Sequence, residues 1–306
     1  MDFRIFAAPM QGFTDAPFCH FHTEVYGQGI DAWFSPFIRV EKGEVRRRDI
    51  KNITSSLNGN HTLIPQVIFR DEAEFGILCN GVAGAGFERM DLNLGCPFPP
   101  QVRHGRGSAL LRKPELLDAV AGMADGLALS VKMRLGVERP DEWMGIADTL
   151  NRMKLSHVTV HPRVASQQYG GELYIDEFAA IYERISHPVV FNGDIISPQG
   201  IDAVTSRFPR LAGVMIGRGL LVRPSLVAEW AEGREWGHEE RVVKIRSLHE
   251  GIYGYYCDTL CGATQILAKI KPFWEYLEPE IGRKHAKAIK KASSLAKYEE
   301  AVRNIM

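Results

Sequence analysis

Eight short β-like runs recur along the first three quarters of the chain, and between them lie segments with helical patterning. The runs are FRIFAAPM (3–10), AWFSPFI (32–38), TLIPQVIF (62–69), RMDLNLG (89–95), LALSVKMRL (127–135), HVTVHPR (157–163), HPVVFNGD (187–194) and LAGVMIGRG (211–219). Helix starts sit in the gaps: Asp71 before EAEFGILCNGVAGA, Lys113-Pro114 before ELLDAVAGMAD, and Ser197-Pro198 before QGIDAVTSRF. Strictly alternating strands and helices build a parallel sheet, and eight units close best as a (β/α)8 TIM barrel in the α/β class. A doubly wound sheet is the alternative, with fewer strands. Beyond Trp236 the strand signals stop, and residues 237–306 read as consecutive amphipathic helices. We expect a barrel over 1–236 followed by a small all-α domain over 237–306.

Total charge excludes little. Lys+Arg and Asp+Glu number 37 each, so a nucleic-acid surface must be a local patch. Five cysteines without framework spacing fit free thiols in a reducing cytoplasm. Cys257 and Cys261, four apart, read as packing residues, and no metal site is expected. The first residues carry no signal-peptide pattern, and no run reaches the roughly 18 apolar residues of a membrane span.

In barrels of this kind the active site forms at the C-terminal ends of the strands. Those ends carry Pro9-Met10, Arg39, Gln66, Asn93 with Cys96, Lys132 with Arg134, His161 with Arg163, Asn192-Gly193-Asp194 and Gly217-Arg218. Lys132 and Arg134 share one strand face inside an apolar run, and buried cations need an anionic partner. The Gly217-Arg218-Gly219 turn after the eighth strand suits a phosphate, which backbone amides can approach and an arginine can grip. Gln66 and Asn192 carry both donors and acceptors, as the edge of a heterocycle requires. His161 on its own is as compatible with structure as with function. Cys96 stands between Gly95 and Pro97, which shape a turn, next to a basic loop containing Arg103, His104 and Arg106. Residues 281–298 hold six Lys/Arg and no acid, including Arg283, Lys284, Lys287, Lys290 and Lys291, which favours RNA over a merely solvated face.

Taken together, APMQGFTDAPF (8–18), DLNLGCP (91–97) with GRGSALL (105–111), SVKMRLG (130–136), FNGDI (191–195) and VMIGRGLL (214–221) resemble the tRNA-dihydrouridine synthases. The tail AKIKPFWEYL (268–277) is similar to the helical domain of the bacterial C-type branch. The resemblance implies an FMN enzyme that reduces the C5–C6 double bond of uridine in tRNA, with NADPH as the reductant and the D-loop as the target region. It implies that Pro9, Met10, Gln11 and Gln66 hold the flavin ring, and that Lys132 and His161 contact the cofactor. Asn192, Gly193, Asp194, Gly217 and Arg218 would take its ribityl chain and phosphate, and Cys96 would be the proton donor. Asn93, Arg103, Arg106, Arg134 and the cations of 283–291 are expected to meet tRNA. A cytoplasmic monomer without DNA or membrane partners is expected.

Two stretches depart from the family pattern. Val164 stands where a threonine is common, and ELYIDEF (172–178) replaces a tryptophan-containing segment. Two rival readings remain at this level. One is a barrel resembling dihydroorotate or dihydropyrimidine dehydrogenases, acting on a free pyrimidine; the other is a non-catalytic RNA-binding barrel.

Overall fold

All eight apolar runs contain strands in the computed structural model, which describes residues 3–305. We number them β1 (Arg4–Ala7), β2 (Ala32–Phe34), β3 (Leu63–Ile64 and Gln66–Val67), β4 (Arg89–Leu94), β5 (Ala128–Gly136), β6 (Leu155–Val164), β7 (Val189–Phe191) and β8 (Gly213–Ile216). Pro65 interrupts β3 because it has no N–H for the ladder. The first half of β3 pairs with β2 and the second half with β4. β1 pairs with both β2 and β8, and the remaining neighbours are consecutive. The two ends of the hydrogen-bonded order are therefore the two halves of one strand. The parallel sheet closes into a barrel.

Helices cover the barrel, and two of the expected start signals act as side-chain caps. Asp71 accepts the N–H of Glu74 at 2.8 Å, and Ser197 accepts that of Gly200 at 3.3 Å. With both faces covered, β4 is buried along its whole length after Arg89. Strand β6 runs beyond the apolar pattern at both ends. An antiparallel hairpin after β2, Val40–Glu41 with Glu44–Val45, carries no clear sequence signal. Its two-residue loop, Lys42 and Gly43, has φ of 54° and 80°, the conformation a tight hairpin demands.

The barrel interior divides along its axis. Its lower part is an apolar plug of Phe6, Phe34, Ile64, Val190 and Met215, with the His157 ring stacked on Phe6 at 5.1 Å. Its upper part is polar: Gln66, Asp91, Asn93, Ser130, Thr159 and His161 are all buried there. Burying that many polar groups is costly unless they are paired, so this end is built for something other than stability.

From His238 onward the described chain is helical, with the long helix His238–Thr259 followed by five short helical segments. Within it, Tyr298 receives hydrogen bonds or contacts from Trp274 Nε1 at 2.8 Å and His249 Nε2 at 2.7 Å. Gly251 lets the long helix approach Phe21 on Ala16–Tyr26; a Cβ there would lie 2.4 Å from the phenyl ring. Tyr256 Oη and Lys269 Nζ both reach the Asp15 carboxylate, each at 3.1 Å. Tyr276 packs edge-on against Phe13, ring centroids 5.2 Å apart, and reaches the barrel mouth. Cys257 and Cys261 are exposed, so the packing expected of them is not found. No group of three or more metal-binding side chains occurs among the described residues.

Candidate functional site

At the C-terminal mouth of the barrel lies a cavity of about 800 Å³, within the range of small-molecule sites. Thirteen of the residues singled out in the sequence line it: Pro9, Met10, Gln11, Asn93, Cys96, Lys132, Arg134, His161, Asn192, Gly193, Asp194, Gly217 and Arg218. They come from six strand ends that are far apart in the chain. Closure of the barrel is what brings them together.

Cys96 sits on a turn held from three sides. Asn93 Oδ1 accepts the backbone N–H of Gly95 at 3.1 Å and that of Cys96 at 2.8 Å. Arg134 Nε donates to Gly95 O at 3.1 Å and its Nη1 to Val164 O at 2.9 Å, tying the turn to the end of β6. Ser108 N donates to Cys96 O at 3.2 Å. Gly107, at φ 60°, lies so close that a Cβ would be 2.8 Å from both Cys96 Cβ and O. That close approach to Cys96 explains the glycine at 107. Arg134 therefore braces the cysteine turn while also lining the cavity.

Burial pushes the Cys96 thiol up, and the opposing pulls of the Phe98 backbone and of Arg134 and Lys132 do not overcome it. The thiol keeps its proton at neutral pH, as an acid must. Burial brings the Lys132 ammonium down to about 8, helped by the like charge of Arg134. His161 is held well below its ordinary range by burial and by the cations around it, so it is a neutral imidazole. Asp194 is held low, first by its hydrogen bonds from Arg163, and lies between Arg163 and Arg218. Its φ of 45° is a conformation that aspartate tolerates better than most residues.

Other expected residues stand elsewhere. Gln66 does not line the cavity: it is fully buried, with its amide committed to Asp91 and Asn93, so the expected direct contact with a ring is not what the geometry offers. Arg106 is paired with Glu74, its Nε donating at 3.0 Å, so its charge is already balanced and it anchors the loop to the helix Glu72–Gly84. Arg103 is exposed at the end of the short helix Pro99–Arg103, outside the cavity lining. Arg283, Lys284, Lys287, Lys290 and Lys291 are exposed on the helix Arg283–Lys291 and also lie outside the cavity.

The structure adds residues that sequence reasoning did not assign. Phe98 and Ile196 line the cavity although they are 57% and 58% exposed, and Tyr169 joins them. The Tyr169 ring carries the guanidinium of Arg218 at 5.0 Å and that of Arg134 at 5.5 Å. Phe98, set between two prolines, was the one with a readable signal: a large aromatic on a loop that cannot bury it. Arg163 and Asp194 were each visible at strand ends, but their pairing was not. Leu173, in the divergent 172–178 segment, packs where a Cβ on Gly193 would come within 3.1 Å.

The donor set fits a flat heterocycle bearing a phosphate. Lys132 and Arg218 supply cations within one cavity, and the turn that carries Arg218 is tight. A Cβ at Gly217 would lie 3.2 Å from Met10 Sδ, and one at Gly219 would lie 2.0 Å from Ile195 O. Only glycine allows that close return of the chain at the end of β8.

The family model described as Dihydrouridine synthase (Dus) matches residues 6–306. A tRNA-dihydrouridine(16) synthase of Neisseria meningitidis serogroup B is 30% identical over 241 residues, covering 74% of this chain and 70% of its own. The tRNA-dihydrouridine synthase B of Yersinia pestis is 28% identical, covering 74% of this chain and 70% of its own. The probable tRNA-dihydrouridine synthase 2 of Bacillus subtilis is 28% identical, covering 81% and 78%. Among solved structures, morphinone reductase superposes with a TM-score of 0.52 at 11% identity, covering 76% of this chain and 87% of its own. That last likeness speaks for the barrel architecture alone.

Proposed function

The chain belongs to the dihydrouridine synthase family, and from that premise we propose that it uses FMN and NADPH to reduce the C5–C6 bond of uridines in tRNA. The observation that carries the reading is the placement of Cys96, on a turn braced by Asn93 and Arg134, in the same cavity as Lys132 and Arg218; burial pushes its thiol up, as a proton donor requires. A flavin held in this cavity would supply hydride chemistry for one carbon of the double bond. Cys96 gives the proton to the neighbouring carbon. Arg218 and the glycines at 193 and 217 would hold the phosphate end, Lys132 and Asn192 the ring and its chain, and neutral His161 would add hydrogen bonding without another charge. Pro9, Met10 and Gln11 line the same cavity, with Met10 beside Gly217.

Phe98, Tyr169 and Ile196 at the rim offer faces for an unstacked base. The helix Arg283–Lys291 is the proposed RNA-phosphate surface, within a tRNA-binding domain over 237–306. Arg283 and Lys284 occupy its first turn, where the helix dipole disfavours cations by about 0.3–1 kcal/mol each. Stability does not explain their presence there. RNA phosphates do. The relatives named for position 16 direct the search to the D-loop, and we take the working form as a cytoplasmic monomer; no helix among the described residues is long and apolar enough to cross a membrane.

The test is single-turnover oxidation of the pre-reduced flavoprotein by tRNA lacking dihydrouridine, with the product mapped by position. Oxidation by tRNA with dihydrouridine formed is expected. A protein that takes up no flavin on reconstitution overturns the reading, as does one oxidised by free uracil but not by tRNA.

A further inference from the structure

We propose that Asp91 is a positioning residue: acting through Gln66 and Asn93, it fixes the turn that presents Cys96 to the cavity. The inference rests on Cys96 being the proton donor.

Asp91 lies below the cavity and does not line it. In the strand registers Gln66 is the partner of Asp91, and Asp91 is the partner of Ser130. Asn93, two residues beyond Asp91 on β4, shares its face. All four are buried, none more than 7% exposed, so none can turn to solvent.

The direction of the hydrogen bonds is fixed from both ends. The N–H groups of Gly95 and Cys96 can only donate, so Asn93 must offer them its oxygen, as it does at 3.1 and 2.8 Å. Its amide nitrogen must then face away, and it donates to Gln66 Oε1 at 2.6 Å. Gln66 is left with its nitrogen pointing at Asp91, donating to Oδ2 at 2.7 Å. An acceptor is required there, and a carboxylate oxygen is one. Ser130 Oγ donates to the other oxygen, Oδ1, at 2.6 Å. No amide in this chain can flip without leaving two buried groups facing like with like, which costs more than any single bond gained. Asp91 thus sets the polarity of a relay whose far end is the Cys96 turn.

Asparagine at 91 can still accept from Gln66 through Oδ1 and donate to Ser130 Oγ, so it preserves the polarity. Leucine cannot. Methionine at 66 keeps the length of the side chain and removes both of its hydrogen bonds.

The experiment compares Asp91→Leu, Asp91→Asn, Gln66→Met, Cys96→Ala and the Gln66→Met/Cys96→Ala pair. Each is pre-reduced with dithionite, mixed with tRNA lacking dihydrouridine, and followed through one oxidation. Asp91→Leu and Gln66→Met should oxidise roughly tenfold more slowly while still retaining flavin, and Asp91→Asn should oxidise near the wild-type rate. If the relay works through Cys96, the paired variant should be no slower than Cys96→Ala alone. Gln66→Met at the full rate overturns the proposal, and so does a paired variant slowed by the same factor again, which marks a general structural role. Should Asp91→Leu fail to fold, Gln66→Met and its pair with Cys96→Ala carry the test. Cys96→Ala oxidising like wild type defeats the proton-donor reading itself; a slow Cys96→Ala beside a fast Gln66→Met defeats only the relay.

Discussion

Arg218 Nη2 meets Asp194 Oδ1 at 2.6 Å, so the cation best placed for a phosphate is already partnered by a carboxylate. Arg163, nearly buried, holds the other side of the same aspartate, its Nη1 donating to Oδ1 at 2.9 Å. The two arginines do different work. Arg218 is half-open to the cavity, whereas Arg163 joins β6 to the chain after β7.

Their substitution should separate these roles. Arg218→Ala removes a charged hydrogen-bond donor worth roughly 1.5–3 kcal/mol, so flavin affinity should fall about 10- to 100-fold with the unfolding midpoint little changed. Arg163→Met should instead lower stability by roughly 1–3 kcal/mol, because it leaves the Gly171 carbonyl and part of Asp194 without their donor. Flavin titration and denaturant unfolding of both variants check this. Equal flavin loss in the two would merge the roles.

Cys96 should alkylate late. Its thiol titrates above the ordinary range through burial, whereas Cys257 and Cys261 are exposed. Iodoacetamide at pH 7 should label the two tail cysteines first, as read by peptide mass spectrometry. The Lys132 charge lowers the Cys96 thiol, so Lys132→Met should move its labelling curve to still higher pH. In the unmodified protein that help fades as pH rises past about 8, where Lys132 itself loses its proton. Labelling of Cys96 ahead of the tail cysteines at pH 7 would mean a thiolate, and an acid role would fall.

The cations of Arg283–Lys291 should act through charge alone. Changing Lys287, Lys290 and Lys291 to Glu should weaken tRNA binding and reduce the slope of log affinity against log salt by roughly two to three. Flavin content should not change. An unaltered affinity at two salt concentrations would return this helix to the role of a solvated face.

Asp91 gives a pH-dependent test of stability. Burial raises its carboxyl from 3.8 to about 6, so the cost of this carboxylate to folding builds from about pH 4 and is complete above about pH 6. Asp91→Asn should then be more stable than wild type by roughly 1–3 kcal/mol at pH 8. The advantage should shrink as pH falls through 6 and vanish below about 4, where both forms are neutral. Paired denaturation curves at pH 8 and pH 5 decide it. No gain at pH 8 would mean that the relay already stabilises the charge.

Much of this protein follows from its sequence, because strand and turn signals are local. Period-two apolar runs, Asp71 and Ser197 at helix starts, and glycines beside Arg218 each act within a few residues, so the barrel and most of its mouth were readable in order. The turn carrying Cys96 was readable too, since Gly95 and Pro97 leave the chain little choice. Pairings across strands were not. Gln66 was expected at a ligand and proved to be committed to Asp91 and Asn93, 25 and 27 residues away. Arg106 was expected at phosphates and proved to be held by Glu74, 32 residues away. A side chain's chemistry is written in the sequence, but which partner satisfies it depends on the closure of the sheet, and only closure put Asp91 beneath the cysteine it orients.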